Sequence, residues 1–167
     1  MPAPGTGPRP FSRAAVVPLA TTLAGSATAL LPVVATYPML PPFGLMALLA
    51  WRLLRPELWP AWVGLPLGLA DDLIGGAPLG SGMIGWTAIL LALDYADARL
   101  GERDWSLDWL LAVPALLFGL LVALAAAWLT GSGGAVWTIG PQALTTLFAF
   151  PAVARGVAAL DRWRLKR

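Results

Sequence analysis

Apolar residues in this chain come in long runs bounded by charge, glycine or proline, and six such runs stand out. They cover residues 14–36, 37 or 41 to 54, 58–74, 79–93, 109–130 and 137–154. Runs of this kind read as membrane spans, although several fall short of the roughly 20 residues needed to cross hydrocarbon untilted. Taken alone, the second and fourth are weak. The charges argue for them. Basic residues occur as Arg9 and Arg13, Arg52 and Arg55, Arg99 and Arg103, and then Arg155, Arg162, Arg164, Lys166 and Arg167. These groups precede the first run or fall at the two–three, four–five and C-terminal connections. The connections at 37–42, 75–82 and 131–136 hold no Lys or Arg. With six spans all eleven basic residues lie on one face, whereas five or seven spans scatter them. The positive-inside rule then puts both termini in the cytoplasm.

The expected fold is therefore an all-α integral membrane protein with six transmembrane helices. Residues 1–13 form a disordered cytoplasmic tail rich in Pro and Gly, 14–160 the bundle, and 161–167 a basic cytoplasmic tail. A competing expectation is a cleaved signal peptide, with Arg9 and Arg13 leading an apolar stretch to Ala27-Thr28-Ala29. The run continues to Val34, however, beyond the usual length of a signal-peptide core.

Composition agrees with a membrane protein. Of 167 residues, 58% are hydrophobic and 12% charged, about half the charged share of a soluble domain. Mean hydropathy is +0.73. Cysteine and histidine are both absent, which excludes disulfides, Cys/His metal sites, Cys nucleophiles and His bases. No metal site and no cofactor is expected. The net charge is only +2, and the basic residues are spread between apolar runs instead of gathered on a soluble face, so nucleic acid is not an expected partner. Trp51, Trp59, Trp62, Trp105, Trp109, Trp128, Trp137 and Trp163 fall near run ends and read as an interfacial aromatic belt. Gly64 and Gly68 form a Gly-x-x-x-Gly pair that lets helices approach closely.

The most informative charges are Asp71 and Asp72, at the end of the third run away from the basic residues. Ionisable residues within a span are functional hypotheses by default. Adjacent carboxylates point about 100° apart on a helix, so with Asp72 facing the bundle Asp71 turns toward headgroups or loop. Three readings stand. Asp72 caps or hydrogen-bonds across helix ends, with Gly75-Gly76 turning the chain; or the dyad couples transport to an ion; or it holds Mg²⁺ in a lipid-phosphate transferase. The run from Gly75 to Gly82 is a turn that sets the angle between spans three and four. Asp94, Asp97, Arg99, Glu102, Arg103, Asp104 and Asp108 read as a solvated cytoplasmic end, with partner contact as the sharper alternative. The C-terminal Arg162-Trp163-Arg164-Leu165-Lys166-Arg167 suits anionic headgroups.

The stretch PPFGLMALLAWRLLRPELWPAWVGLPLGLADDLIGGAPLG, residues 41–80, resembles the core pattern of the MreD family of bacterial rod shape-determining membrane proteins. The matching positions are Pro41, Trp51, Pro56, Gly68, Asp72, Gly76, Leu79 and Gly80, with Gly64 beside them. Asp72 is in register, four residues after Gly68 and four before Gly76. Leu40 stands where the family often has Arg, and Asp71 is an additional carboxylate. The resemblance implies a non-catalytic scaffold in the bacterial inner membrane that binds MreC directly and helps organise side-wall peptidoglycan synthesis. MreB, RodA and a class B penicillin-binding protein belong to the same elongation machinery. It also implies a fold like the substrate-binding subunits of energy-coupling-factor transporters, and so an alternative role as a small-molecule-binding subunit. On the scaffold reading, the small residues of spans three and four form a surface that receives the MreC helix.

Overall fold

The computed structural model describes residues 13–31, 40–100, 105–131 and 139–165. Residues 1–12 of the tail expected at 1–13, and the last two residues, lie outside them; Arg13, expected in the tail, opens the first helix. Among the described residues six α-helices follow one another and no strand occurs. They are α1 (Arg13–Ala27), α2 (Phe43–Leu54), α3 (Gly64–Gly75), α4 (Ser81–Leu100), α5 (Trp105–Leu129) and α6 (Ile139–Leu165). A 3-10 turn, Thr28–Leu30, prolongs α1, and two more, Pro56–Leu58 and Ala61–Val63, lead into α3.

Helix boundaries depart from the apolar runs in a consistent way. The fourth helix continues past Leu93 through Asp94 and Asp97, and the sixth past Ala154 to Leu165. Charges end an apolar run without ending a helix: Arg is a good helix former, and Asp, a poorer one, costs less than about 1 kcal/mol relative to Ala, which ion pairing offsets. Residues 161–165 are thus helical, and Asp161 among them is buried.

The helix ends alternate between two ends of the bundle. The C-terminal part of α1 meets the start of α2 where Gly25 lies against the Phe43 carbonyl. The end of α3 meets the start of α4 through Asp72, and Gln142 of α6 donates to the Leu40 carbonyl ahead of α2, at 3.1 Å. At the opposite end Arg52 of α2, and Arg55 just past its end, reach carboxylates on α4 and α6. The described residues of the first end include no Lys or Arg.

Helix α2 is the centre. Nine consecutive residues, Gly44 to Arg52, are buried, so α2 meets protein on every side. Leu45, Met46, Leu48, Leu49 and Trp51 form the core with Leu67, Trp86, Ile89, Leu90, Leu116 and Phe150. The outer helices are the reverse. Residues 107–129 and 139–165 are long and apolar enough to cross a membrane, with 17% of each best window buried. Leu110, Leu121, Leu129, Leu144 and Phe148 are exposed.

Trp51 and Trp59 do not belong to an interfacial belt. Trp51 is fully enclosed and Trp59 nearly so; the Trp51 indole N–H donates to Thr21 Oγ1 of α1 at 2.8 Å. Interior packing with a hydrogen-bond partner satisfies an indole as well as a headgroup does. Trp62, Trp128 and Trp163 are exposed; Trp137 and the side chain of Trp105 lie outside what is described.

Candidate functional site

The Gly64-to-Gly82 segment folds into one tight hairpin. Asp72, on the last full turn of α3, is 1% exposed. Its Oδ2 accepts the Gly80 N–H at 2.8 Å, and its Oδ1 accepts the Ser81 hydroxyl and the Gly82 N–H, each at 2.8 Å. The carboxylate therefore satisfies donors at the α4 N-terminus, where orphan N–H groups and the helix dipole both favour a negative charge. No Lys or Arg takes part in these bonds.

The intervening glycines make this reach possible. Gly76 closes α3 in the left-handed region, φ 65°, and Gly80 turns the chain into α4 at φ 99°. Both the Gly76 N–H and the Ala77 N–H return to the Asp72 carbonyl, so one residue ends α3 with its backbone and begins α4 with its side chain. Gly68 and Gly64 bring the two axes together. A Cβ on Gly68 would collide with the Gly82 and Met83 backbone, and one on Gly64 would lie 2.7 Å from Thr87 Cα. The Gly-x-x-x-Gly pair therefore packs against α4. Gly64 and Gly68 thus fit the chain to itself.

Of the residues singled out from the sequence, Gly64, Gly68, Asp72, Gly76 and Gly80 converge in this hairpin. Leu79 is exposed on its turn. Pro41 precedes α2 at the same end. Trp51 and Pro56 belong to the other end, Pro56 opening an exposed 3-10 turn.

Asp71 does not turn outward. It is half-buried and lines two cavities, of about 270 and 240 Å³, that share Pro42, Asp71, Ala77 and Gln142. Ser26 of α1 stands beside it, and a Cβ on Gly44 would lie 3.0 Å from Asp71 Oδ1. Asp71 thus faces α1 and α2, because α3 packs against α1 as well as α4.

At the basic end the structure holds a network that reading the chain run by run misses. Arg52 Nη2 bridges Asp94 at 2.5 Å and Asp97 at 2.7 Å. The Arg52 side chain is 2% exposed, whereas those of Asp94 and Asp97 are 45% and 25% exposed. These acids are not simply a solvated helix end: they neutralise a buried guanidinium. Arg52 Nε and Nη1 are buried and have no hydrogen-bond partner among the described residues. Arg55 reaches Asp161 at 3.0 Å, Asp161 also pairs with Arg164 at 2.7 Å, and Arg164 lies over the Trp51 ring at 4.9 Å. The only sequence signal was the presence of Arg two residues from a helix end, which positive-inside bias explains equally well.

Among the described residues no three acidic side chains gather as a metal site. Compared with protein-family models, curated proteins and solved structures, the chain matches none.

Proposed function

We propose that this chain is a six-span, non-catalytic membrane scaffold of the MreD type, with both termini cytoplasmic, acting in bacterial cell elongation by binding MreC. The observation that carries the reading is the Asp72 hairpin. The residues on which the resemblance rests, Gly68, Asp72, Gly76 and Gly80, act together as one architectural device, and a carboxylate accepting three hydrogen bonds is suited to holding shape. Membrane residence is supported by the two long apolar helices and by exposed Leu and Phe on their outer faces. Pro18, Pro114 and Pro151 stand inside helices, as proline often does in transmembrane segments. The alternation of helix ends gathers Arg52, Arg55, Arg162 and Arg164 at one end, as a six-span chain with cytoplasmic termini requires.

With the α3–α4 glycines engaged internally, the MreC helix binds another part of the bundle. The test is to tag the C-terminus, extract the membrane in mild detergent and identify what co-purifies. Recovery of MreC, with or without RodA and its transpeptidase, is the expected result; its absence, with the tagged chain folded and in the membrane, overturns the reading. The cavities at Asp71 favour a second reading, a small-molecule-binding subunit of the energy-coupling-factor type, and co-purification of a transporter's coupling protein and ATPases would select it.

A further inference from the structure

The two cavities meeting at Asp71 have a one-sided chemistry. Asp72 lines the larger but its oxygens are taken by Gly80, Ser81 and Gly82. Asp71 is the acid that the hairpin does not use. Around it stand further acceptors. Gln142 donates its Nε2 to Leu40, which leaves its carbonyl oxygen available. Ser26 is 4% exposed, and its hydroxyl, although next to Asp71, makes no hydrogen bond of good geometry. A buried hydroxyl left this way is costly unless something else engages it. Neither cavity is lined by a Lys or Arg. Beyond the acceptors the larger cavity becomes apolar, walled by Leu45, Trp86, Leu120 and Leu124.

Acceptors without a cation, next to an apolar wall that includes an indole, match a charged donor on an apolar body. We propose that the cavities at Asp71 bind a small organic amine, its primary ammonium at Asp71, Ser26 and Gln142 and its apolar part against Trp86 and Leu45. Three N–H donors serve the three acceptors, and the charge answers the carboxylate. A metal ion would find a single free carboxylate, too few for an all-protein site. An aminophospholipid headgroup would bring a phosphate beside Asp71 and Asp72 with no basic residue to receive it. The inference does not depend on MreC binding, and its test uses the isolated chain.

The full-length protein, purified in detergent, is melted with increasing benzylammonium chloride or with benzyl alcohol, its uncharged counterpart. Preferential binding to the folded state raises the melting temperature with ligand concentration. The amine is expected to give a saturable rise and the alcohol none. Asp71→Asn, which keeps the shape and removes the charge, weakens the response at least tenfold, and Ser26→Ala weakens it by about threefold, in line with one lost hydrogen bond. Glu57→Gln, on the exposed turn at the opposite end, leaves it unchanged. Equal responses to amine and alcohol overturn the proposal even if no variant folds. So does an Asp71→Asn response within twofold of the parent. Repeating the titration in phosphatidylcholine and phosphatidylethanolamine bilayers separates the sources: blockade by phosphatidylethanolamine would identify a lipid headgroup as the occupant and refute a free amine.

Discussion

Replacing Asp72 tests the architecture most directly, because its carboxylate starts α4 while its backbone carbonyl, which every substitution keeps, ends α3. Hydrogen bonds to a charged acceptor contribute about 1.5–3 kcal/mol each, and Asp72 makes three. They are not additive, and water in the adjoining cavity can reach the freed donors, so Asp72→Ala is expected to cost about 3–5 kcal/mol. Asp72→Asn keeps an oxygen for Ser81 and Gly82 but turns an amide N–H₂ toward the Gly80 N–H. It loses one bond and the charge at the α4 N-terminus, about 2–3 kcal/mol together. Ser81→Ala removes a single partner, about 1–2 kcal/mol. The assay is equilibrium unfolding of the detergent-solubilised chain, followed by tryptophan fluorescence, on the two single alanine variants and the double. The double should fall short of additivity by about 1 kcal/mol, the signature of a shared contact. An Asp72→Asn protein within about 0.5 kcal/mol of the parent, together with additive Ala variants, would refute the capping argument.

Three further outcomes follow from the same contacts and can be read by the same unfolding assay. Asp94→Asn combined with Asp97→Asn strands the buried Arg52 guanidinium and should cost about 3 kcal/mol or more, whereas Arg52→Met, which fills the space without charge, should cost less. If the methionine variant is the less stable of the two, burial of Arg52 is not what the acids compensate. Gly68→Ala drives a methyl into the α4 backbone and should cost at least about 2 kcal/mol, while Gly75→Ala, whose new methyl would meet only Ala29 at 3.8 Å, should stay within about 1 kcal/mol; equal effects would contradict the close crossing. Gly76→Ala has open space but a φ of 65°, so it should cost about 1–2 kcal/mol through backbone strain alone, with Gly76→Asn milder.

The hairpin was the most legible part of the site. Its residues lie within twenty positions of each other, and glycine at a left-handed turn or an acid at a helix start carries a local signal. The order of six helices was equally plain, since each has its own apolar run. Helix ends were not, because Asp94, Asp97, Arg155 and Asp161 look like chain leaving the bundle when they are still helical and, for Asp161, buried. The Arg52 network was hidden for a different reason. Its partners are 42 and 45 positions away, and nothing near Arg52 in sequence distinguishes a buried guanidinium from a topogenic one. Trp51 misled in the same way, since an indole near a run end suits a headgroup or a core. The angle from Asp72 on a lone helix turns Asp71 outward, whereas its environment is supplied by α1 and α2.

The enclosure of α2 has a consequence for biosynthesis. With 12 residues, the helix is roughly 18 Å long, well under the roughly 30 Å of a hydrocarbon core, and it carries an arginine near one end. If the chain is the six-span membrane protein proposed above and is inserted as it is made, this segment emerges before the acids that pair with its arginine: Asp94 follows Arg52 by 42 residues, about 2–8 s of synthesis. On that proposal its guanidinium stays near the membrane surface or borrows lipid phosphate until then. The middle of the finished bundle is therefore among the last parts to settle, drawn inward once α4 supplies the acids. Agents that slow translation between residues 52 and 94 would lengthen that exposed interval and give quality-control proteases their best access to the chain.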